Sequence, residues 1–502
     1  MKRIMFLAFV AVLMMAAACS EPLNEAAEEL SPQNEGAETP KMSHWGNKIE
    51  DPYSVSNMRL AFKELMKSSE GSLSKAGVTE AQIVPTHLHL KFIPKNEKEL
   101  DLLEADSVLA VVPIPFNYDL ENFDGVYRDP ECPADQPTYQ YSVVRIGHEL
   151  PKVEYEVLDS LFILDGIESE FNGLSKTTST KKFWVALEYE AMKLTDNLAD
   201  YTPETLSKKY RPYGKVTFEM NGKTIPVPDA KVHVNFSTHH SYAFTKADGS
   251  FQVSGHFRKK VHYHVYFKNA HVNVYDGHNR SDDAASYGGR IDGKCDDFFI
   301  NDVYKKAFGT LMKVYYDYNN SYFETTKDLG RTFKVSVFNS KYEKYCYVTY
   351  ANDSESANMI NINDQYVHKY DSLYSMAVEA YAGLILLNSG ATKILHNEID
   401  SKLKESWLLG MKHYVMQDSF PHFQYANKNK RGLIIDLVDD DRSASDYVHG
   451  MSMATIEQKL KRSYKNTNIS QQWNTFAENL KIGKSASEKN NIDILFNYWK
   501  NK

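Results

Sequence analysis

Cysteine is scarce: 4 occur among 502 residues, at Cys19, Cys132, Cys295 and Cys346. Behind the first stand an odd number at wide spacing, which excludes a disulfide framework. At most one pair among Cys132, Cys295 and Cys346 can bond, and none has the spacing of metal ligands. Positive charge is also lacking. The 58 Lys and Arg against 66 Asp and Glu leave a formal net charge of −8. Nucleic acid is therefore disfavoured as a partner, since phosphate backbones are gripped by basic clusters. Past the N-terminal leader, no apolar run is long enough to span a bilayer. Gly-x-Ser-x-Gly is missing, which leaves a serine hydrolase unsupported, and no glycine loop of the P-loop type appears.

What is present describes an ordinary globular protein, with 42% hydrophobic and 25% charged residues. The length exceeds what one hydrophobic core organises, so two to four domains are expected. The 33 tyrosines within 13% aromatics are many. Strand packing accounts for them first; glycan or peptide surfaces are the other use of such rings.

The N-terminus carries the most specific signal. Lys2 and Arg3 precede a short apolar run, and Ala16, Ala17 and Ala18 stand directly before Cys19. Residues 1–18 read as a secretory signal, too short and wrongly flanked for a membrane span. The Ala-Ala-Ala-Cys junction resembles the lipobox of bacterial lipoproteins, departing from it at Ala16, where leucine is commoner. The resemblance implies that the Cys19 thiol is diacylated and becomes the mature N-terminus. Several acyl chains, at about 0.8 kcal/mol per buried methylene, hold a protein durably on a membrane. Within residues 19–50, the stretch 20–41 carries six glutamates (Glu21, Glu25, Glu28, Glu29, Glu35, Glu38) and almost no large apolar groups. Such a segment is expected to be a disordered tether, reaching on the order of 100 Å if extended. Acidic residues behind a lipid cysteine resemble surface-export signals of some Gram-negative lipoproteins.

Residues 51–205 read as an α+β region. Ser54 or Ser56 can cap a helix with Met58, Phe62, Leu65 and Met66 on one side. Strict alternation from His87 to Phe92 predicts a strand, and the pattern turns helical after Pro94. His87 and His89 share one face of that strand, read as solvated rather than as a metal grip. Gly147-His148-Glu149-Leu150 begins like a zinc motif, but Pro151 follows and no second histidine is placed for it. Trp184, Leu187, Ala191, Leu194 and Leu198 form the stripe of an amphipathic helix.

Residues 212–275 are short alternating strands with turn punctuation. Lys246-Ala247-Asp248-Gly249-Ser250 predicts a hairpin turn in which Gly249 adopts positive φ without a steric cost. Val227-Pro228-Asp229-Ala230-Lys231-Val232, followed by Thr245 to Phe251, is similar to the carboxypeptidase regulatory-like β-sandwich family. The resemblance covers about 60 residues of an Ig-like sandwich and implies a non-catalytic spacer or docking module. Eight of the 17 histidines fall at 233, 239, 240, 256, 262, 264, 271 and 278. His262 and His264 share one strand face, read here as polar and outward, with Val261, Tyr263 and Val265 inward. The competing use is weak zinc, nickel or copper binding, which requires a third ligand from a neighbouring strand.

Residues 296–502 turn mainly helical. Phe299, Val303, Phe308, Leu311 and Tyr315 sit near helical spacing, residues 333–353 read as a hairpin-like strand pair, and a helix is expected over about 370–388. Leu403, Trp407, Met411 and Tyr414 stack along a further helix closed by Pro421. Residues 431–438 read as a buried strand leading to the acidic loop Asp439-Asp440-Asp441, which lacks the glycine and terminal glutamate of a calcium loop.

This order resembles the C-terminal zincin-like region of some bacterial surface lipoproteins. In catalytically competent relatives the first helix carries His-Glu-x-x-His, whose imidazoles hold zinc while the glutamate activates its water. Here Glu379 falls at the place of the general base, and Glu405, in Lys404-Glu405-Ser406-Trp407, where a carboxylate ligand is expected. Val378 and Ala382 replace the histidines, and aliphatic groups offer no lone pair. His368, His396, His413 and His449 lie outside the motif. The reading that follows is an α+β multidomain, lipid-anchored envelope protein displayed outward from an outer membrane. It would hold no cofactor and bind a peptide, a glycan or a surface protein. An active peptidase with unusual ligands around Glu379 and Glu405, or a purely structural lipoprotein, remain the alternatives.

Overall fold

A computed structural model of the chain describes residues 48–68, 77–118, 128–129, 131–163, 178–198, 209–276, 285–291, 298–300, 303–322, 333–339, 347–349, 358–362, 370–387, 399–420, 432–438, 448, 450–464 and 468–501. The expected signal segment, Cys19, nearly all of the expected tether, Cys295, Cys346, Pro421, residues 439–441, and His278, His368, His396 and His449 lie outside the described residues. What is described is a mixed α+β structure.

Helix α1 (Val55–Ser68) starts where the Ser54 carbonyl accepts from Met58 N at 2.9 Å. Met58, Ala61, Phe62 and Leu65 recur at three- and four-residue spacing and are buried, while Met66 stays exposed. Strand β1 (His87–Phe92) is followed by α2 (Glu97–Ala105), whose first turn is capped by Asn96 Oδ1 accepting from Glu99 N at 3.1 Å. Strands β2 (Gln140–Arg145) and β3 (Tyr155–Leu161) flank β1 antiparallel on either side. Helix α3 (Thr178–Leu194) lies against α1 through an edge-to-face contact of Phe62 and Phe183, with Trp184, Leu187 and Ala191 buried and Leu194 exposed.

Strands β4 (Tyr213–Met220), β5 (Lys223–Pro226), β6 (Lys231–Phe236), β7 (His239–Phe244), β8 (Ser250–Gln252) and β9 (Val261–Tyr266) fall in two sheets. Val216, Phe218 and Phe251 of one sheet and Val232, Val234, Tyr263 and Val265 of the other belong to one core. The turn at 246–250 forms, with Gly249 at φ +76° and Lys246 N bonded to Ser250 O at 2.8 Å. It does not close a hairpin: β7 pairs with β6, whereas β8 crosses to β4 in the other sheet. A Cβ on Gly249 would sit 2.5 Å from Val216 O, so the close crossing requires glycine here.

Pairing runs across the boundaries read from the sequence. Strand β10 (Val272–Asp276) leaves the module, while β11 (Ala285–Ile291) and β12 (Phe298–Ile300) complete the sheets as β11-β9-β6-β7 and β12-β4-β5. Phe299 is therefore in a strand, and helix α4 (Val303–Asp317) begins after it. Strands β13 (Phe333–Asn339), β14 (Tyr347–Thr349) and β15 (Asn358–Ile362) join β10 in the order β10-β13-β15-β14. The expected hairpin over 333–353 is thus corrected: β15 inserts between β13 and β14, parallel to the first and antiparallel to the second. Strand edges seek partners, and alternation within a strand does not reveal which partner it finds.

The remainder is helical: α5 (Tyr370–Leu387), α6 (Ser401–Ser419), α7 (Leu433–Val438), α8 (Met453–Tyr464), α9 (Gln472–Lys481) and α10 (Ala486–Lys500). Asp400 caps α6 by accepting from the backbone N–H of Lys402 and Leu403, and Ser485 forms a capping box with Glu488 on α10. The buried strand expected at 431–438 is the helix α7. A short apolar run carries no period that separates strand from helix, and Ser406 Oγ accepts from Ile434 N at 3.0 Å, satisfying one of the free donors of the first helical turn.

Candidate functional site

On α5, the helix with the expected general base, Val378 and Ala382 are buried in the core. Trp407 Nε1 on α6 donates to the Ala382 carbonyl at 3.0 Å, and Lys412 Nζ meets Glu379 Oε2 at 2.5 Å. These contacts, 379 with 412 and 382 with 407, run in opposite directions, so α5 and α6 are antiparallel. Glu405 lies on the exposed side of α6, seven residues before Lys412 and so roughly 10 Å along the helix. The structure thus gives the Glu379 carboxylate to a lysine and does not bring Glu405 to it. Val378 lines a small apolar cavity with Val314, Tyr318, Tyr381, Met411 and Val415, surroundings that provide a packing surface in place of ligand donors.

A second cluster is built where β1, β2, β6, β7 and β9 approach one another. The face of β1 bearing His87 and His89 is not solvated: His89 is buried, its ring 5.7 Å from that of Phe116. The β6–β9 face is likewise covered. His264 is buried rather than outward, and His262 is half-buried. Val112, Ile114, Pro115 and Phe116 lie over it and leave a cleft of about 20 Å³ lined also by His233, His262, His264, Asn235 and Tyr266. That volume suits one ordered water. Phe116 sits 5.7 Å from His233 and 5.0 Å from His240 between ring centres.

Hydrogen bonds set the tautomers. The Val143 carbonyl on β2 accepts from His240 Nε2 at 3.1 Å, so His240 Nδ1 accepts in turn from His233 Nε2 at 2.9 Å. Asn235 Nδ2 donates to Ser237 O, which turns its Oδ1 to accept from His264 Nε2 at 3.0 Å. In both His233 and His264, Nδ1 is therefore the basic nitrogen. Burial, the largest influence on each, holds these imidazoles neutral. His89 and His240 fall to about 4 and His264 to about 3, while His233 lies well below its ordinary range with His240, His264 and Lys231 adding to the effect.

A third polar group joins the N-terminal region to the central sheets. Tyr53 OH donates to Glu188 Oε1 at 2.8 Å, and Lys259 Nζ reaches Tyr53 OH at 2.9 Å and Glu188 Oε1 at 3.3 Å. Arg258 approaches the other Glu188 oxygen at 3.4 Å. Lys259, 2% exposed, lies over the Phe236 ring at 4.2 Å. Burial lowers it to about 8, against the pull of Glu188, and raises nearby Asp51 to about 6. Its bonds tie Tyr53, Glu188 and Lys259 together across three elements, so it acts as a clamp between them.

His262 and His264 thus stand together, as read, but in a covered cleft. His89, His233 and His240 were not selected from the sequence as members of one cluster. The available signal was the recurrence of histidine on alternate positions of β1 and β9, with His233 alone on β6. Among the described residues no group of three His, Cys, Asp or Glu side chains is placed to hold a metal ion. Cys132 is buried with a free thiol. Compared with known proteins, the chain matches no family model, no curated protein and no solved structure.

Proposed function

We propose that the chain is a lipid-anchored cell-envelope protein, held at an outer membrane through Cys19 and facing outward. Its role is to bind or scaffold a peptide, a glycan or another surface protein without catalysing a reaction. Residues 212–275 serve as the carboxypeptidase regulatory-like docking or spacer module, and residues 296–502 as a zincin-like region that has given up hydrolysis. One observation carries the non-catalytic part: Glu379, at the place of the base, is paired with Lys412 while Val378 and Ala382 are packed in the core. A base with a lysine ammonium on its oxygen, beside side chains without donor atoms, has no metal-bound water to activate.

The anchor is tested by fractionation of cells expressing Cys19→Ala, which should leave the membrane for the soluble fraction; retention in the membrane would refute lipidation at that residue. Exposure follows from protease shaving of intact cells. Stoichiometric zinc in the purified protein, together with chelator-sensitive peptide cleavage lost in Glu379→Gln, would overturn the non-catalytic reading. In-cell crosslinking that recovers no specific protein or glycan partner would count against scaffolding.

A further inference from the structure

We propose that Phe116 is an acid-released plug: as pH falls, residues 113–116 draw away from β6 and β9, water enters, and the histidines beneath become charged. These residues form a short span between two backbone ties, Val112 to Tyr141 and Asn117 to Ile49. Pro113 and Pro115 within it have no N–H to give up. Phe116, 4% exposed, packs its ring against imidazoles from three strands, with centres 5.7 Å from His89, 5.7 Å from His233 and 5.0 Å from His240.

The bonds under the plug suit neutral rings. His240 donates to the Val143 carbonyl and accepts from His233 Nε2. A proton added to this pair ends as an N–H at His233 Nδ1. It arrives there directly if His233 takes it, or because His233 must shift its own proton to Nδ1 if His240 takes it. That nitrogen is buried with no hydrogen-bond partner, and so is His89 Nε2. A charged His89 carries a proton on both nitrogens, so it too strands a buried donor.

The groups that act on these rings offer no opposite charge. Arg145 on β2 acts on His87, Lys231 on β6 acts on His233 and His240, His239 on β7 acts on His87 and His240, and His262 acts on His264. Carboxylates on the packed elements are engaged by other partners. Asp159 on β3 accepts from Ser160 N, Asp51 from Tyr53 N and Thr238, and Glu188 from Tyr53 OH, while Asp106 pairs with His148. Tyr118 and Tyr266 complete the cleft wall.

Burial holds His89 and His240 at about 4 and His264 at about 3, against an ordinary 6.5. The closed form therefore binds fewer protons than the open one. Its stability is complete above pH 6.5 and is lost as pH falls from there toward 4. At pH 5 each of these three rings favours opening roughly 30-fold more than at pH 8. The clamp responds differently. Asp51, raised to about 6, holds its proton more tightly in the folded chain and strengthens over the same interval, and Lys259, at about 8, stays charged. Acid thus frees the plug while Tyr53, Glu188 and Lys259 keep their elements joined.

The experiment follows imidazole signals of the full-length chain in detergent, with histidine alone isotopically labelled, from pH 8 to pH 4. His89, His233, His240 and His264 should titrate together at one midpoint between 6.5 and 4, more steeply than a single proton allows, because one opening exposes them all. Hydrogen exchange of α1 and α3 should be unchanged across that midpoint. Phe116→Ala, which removes the plug and no titrating group, should move the midpoint toward 6.5. Because that variant can misfold, the steepness in the wild-type chain is decisive on its own. Rings that titrate one by one, a midpoint at 6.5 in the wild-type chain, no titration down to pH 4, or loss of α1 and α3 protection at the same midpoint would each overturn the proposal.

Discussion

Replacing Glu188 by Gln tests whether the Tyr53–Glu188–Lys259 clamp works electrostatically. Burial moves Lys259 from 10.5 to about 8 even with Glu188 beside it. At about 1.4 kcal/mol per pH unit, that gap is roughly 3 kcal/mol of lost preference for the ammonium. The native state therefore binds fewer protons than the unfolded chain between those values, and stability rises with pH across that window. Without the carboxylate, Lys259 falls further and becomes neutral at pH 7. The added cost from this lysine is then about 1.4 kcal/mol at pH 7 and vanishes above pH 9, where the lysine is neutral in both proteins. Loss of the charge-assisted bonds from Tyr53 and Arg258 adds about 1–2 kcal/mol at every pH. The total at pH 7, about 2.4–3.4 kcal/mol, lies at the low end of the ~3–5 kcal/mol usual for breaking a buried pair, because the lysine escapes by releasing its proton. Urea denaturation at pH 7, 8 and 9.5 measures it, with hydrogen exchange of α3 and β9 as the local readout. A destabilisation that is the same at pH 7 and 9.5 would refute the titration of Lys259 as its source.

Other substitutions probe separate features. Asp51→Asn should stabilise the protein at pH 7 and have little effect below the unfolded value of 3.8; burial raises the folded carboxyl to about 6, so its proton is held more tightly when folded and stability declines as pH rises between those values. Chemical denaturation at pH 3.5 and 7 shows whether the difference follows this course. Gly410→Ala on α6 would place a Cβ 2.3 Å from Ile434 Cγ2 and 2.6 Å from its Cβ, a branched position that cannot swing aside. Overpacking of about 1–3 kcal/mol should exceed the helix gain of about 1 kcal/mol, lowering the urea midpoint. Gly249→Ala combines positive φ with contact against Val216 O and should cost at least about 2 kcal/mol in the same assay.

Elements with an unbroken period were legible in the residues. The strand β1, the Met58, Phe62 and Leu65 side of α1 without Met66, the helix at 370–387 and the positive φ of Gly249 formed as expected. So did the burial of Trp407 and Met411 on one side of α6. Shorter apolar runs were not legible. Residues 433–438 turned helical against α6, and β10, expected at the end of one module, joined a sheet with β13.

The sequence by itself determined that positions 378 and 382 offer no metal donors, since side-chain chemistry is independent of fold. It also set which residues of β1, β6 and β9 share a face, because the strand period is a property of the backbone alone. Only the tertiary structure decided that those histidine faces are covered rather than wet, that His233 meets His264, and that Glu379 meets Lys412. Burial and pairing belong to two elements at once, and the second element lies far away in the chain: residues 112–116 over β6 and β9, and α6 beside α5.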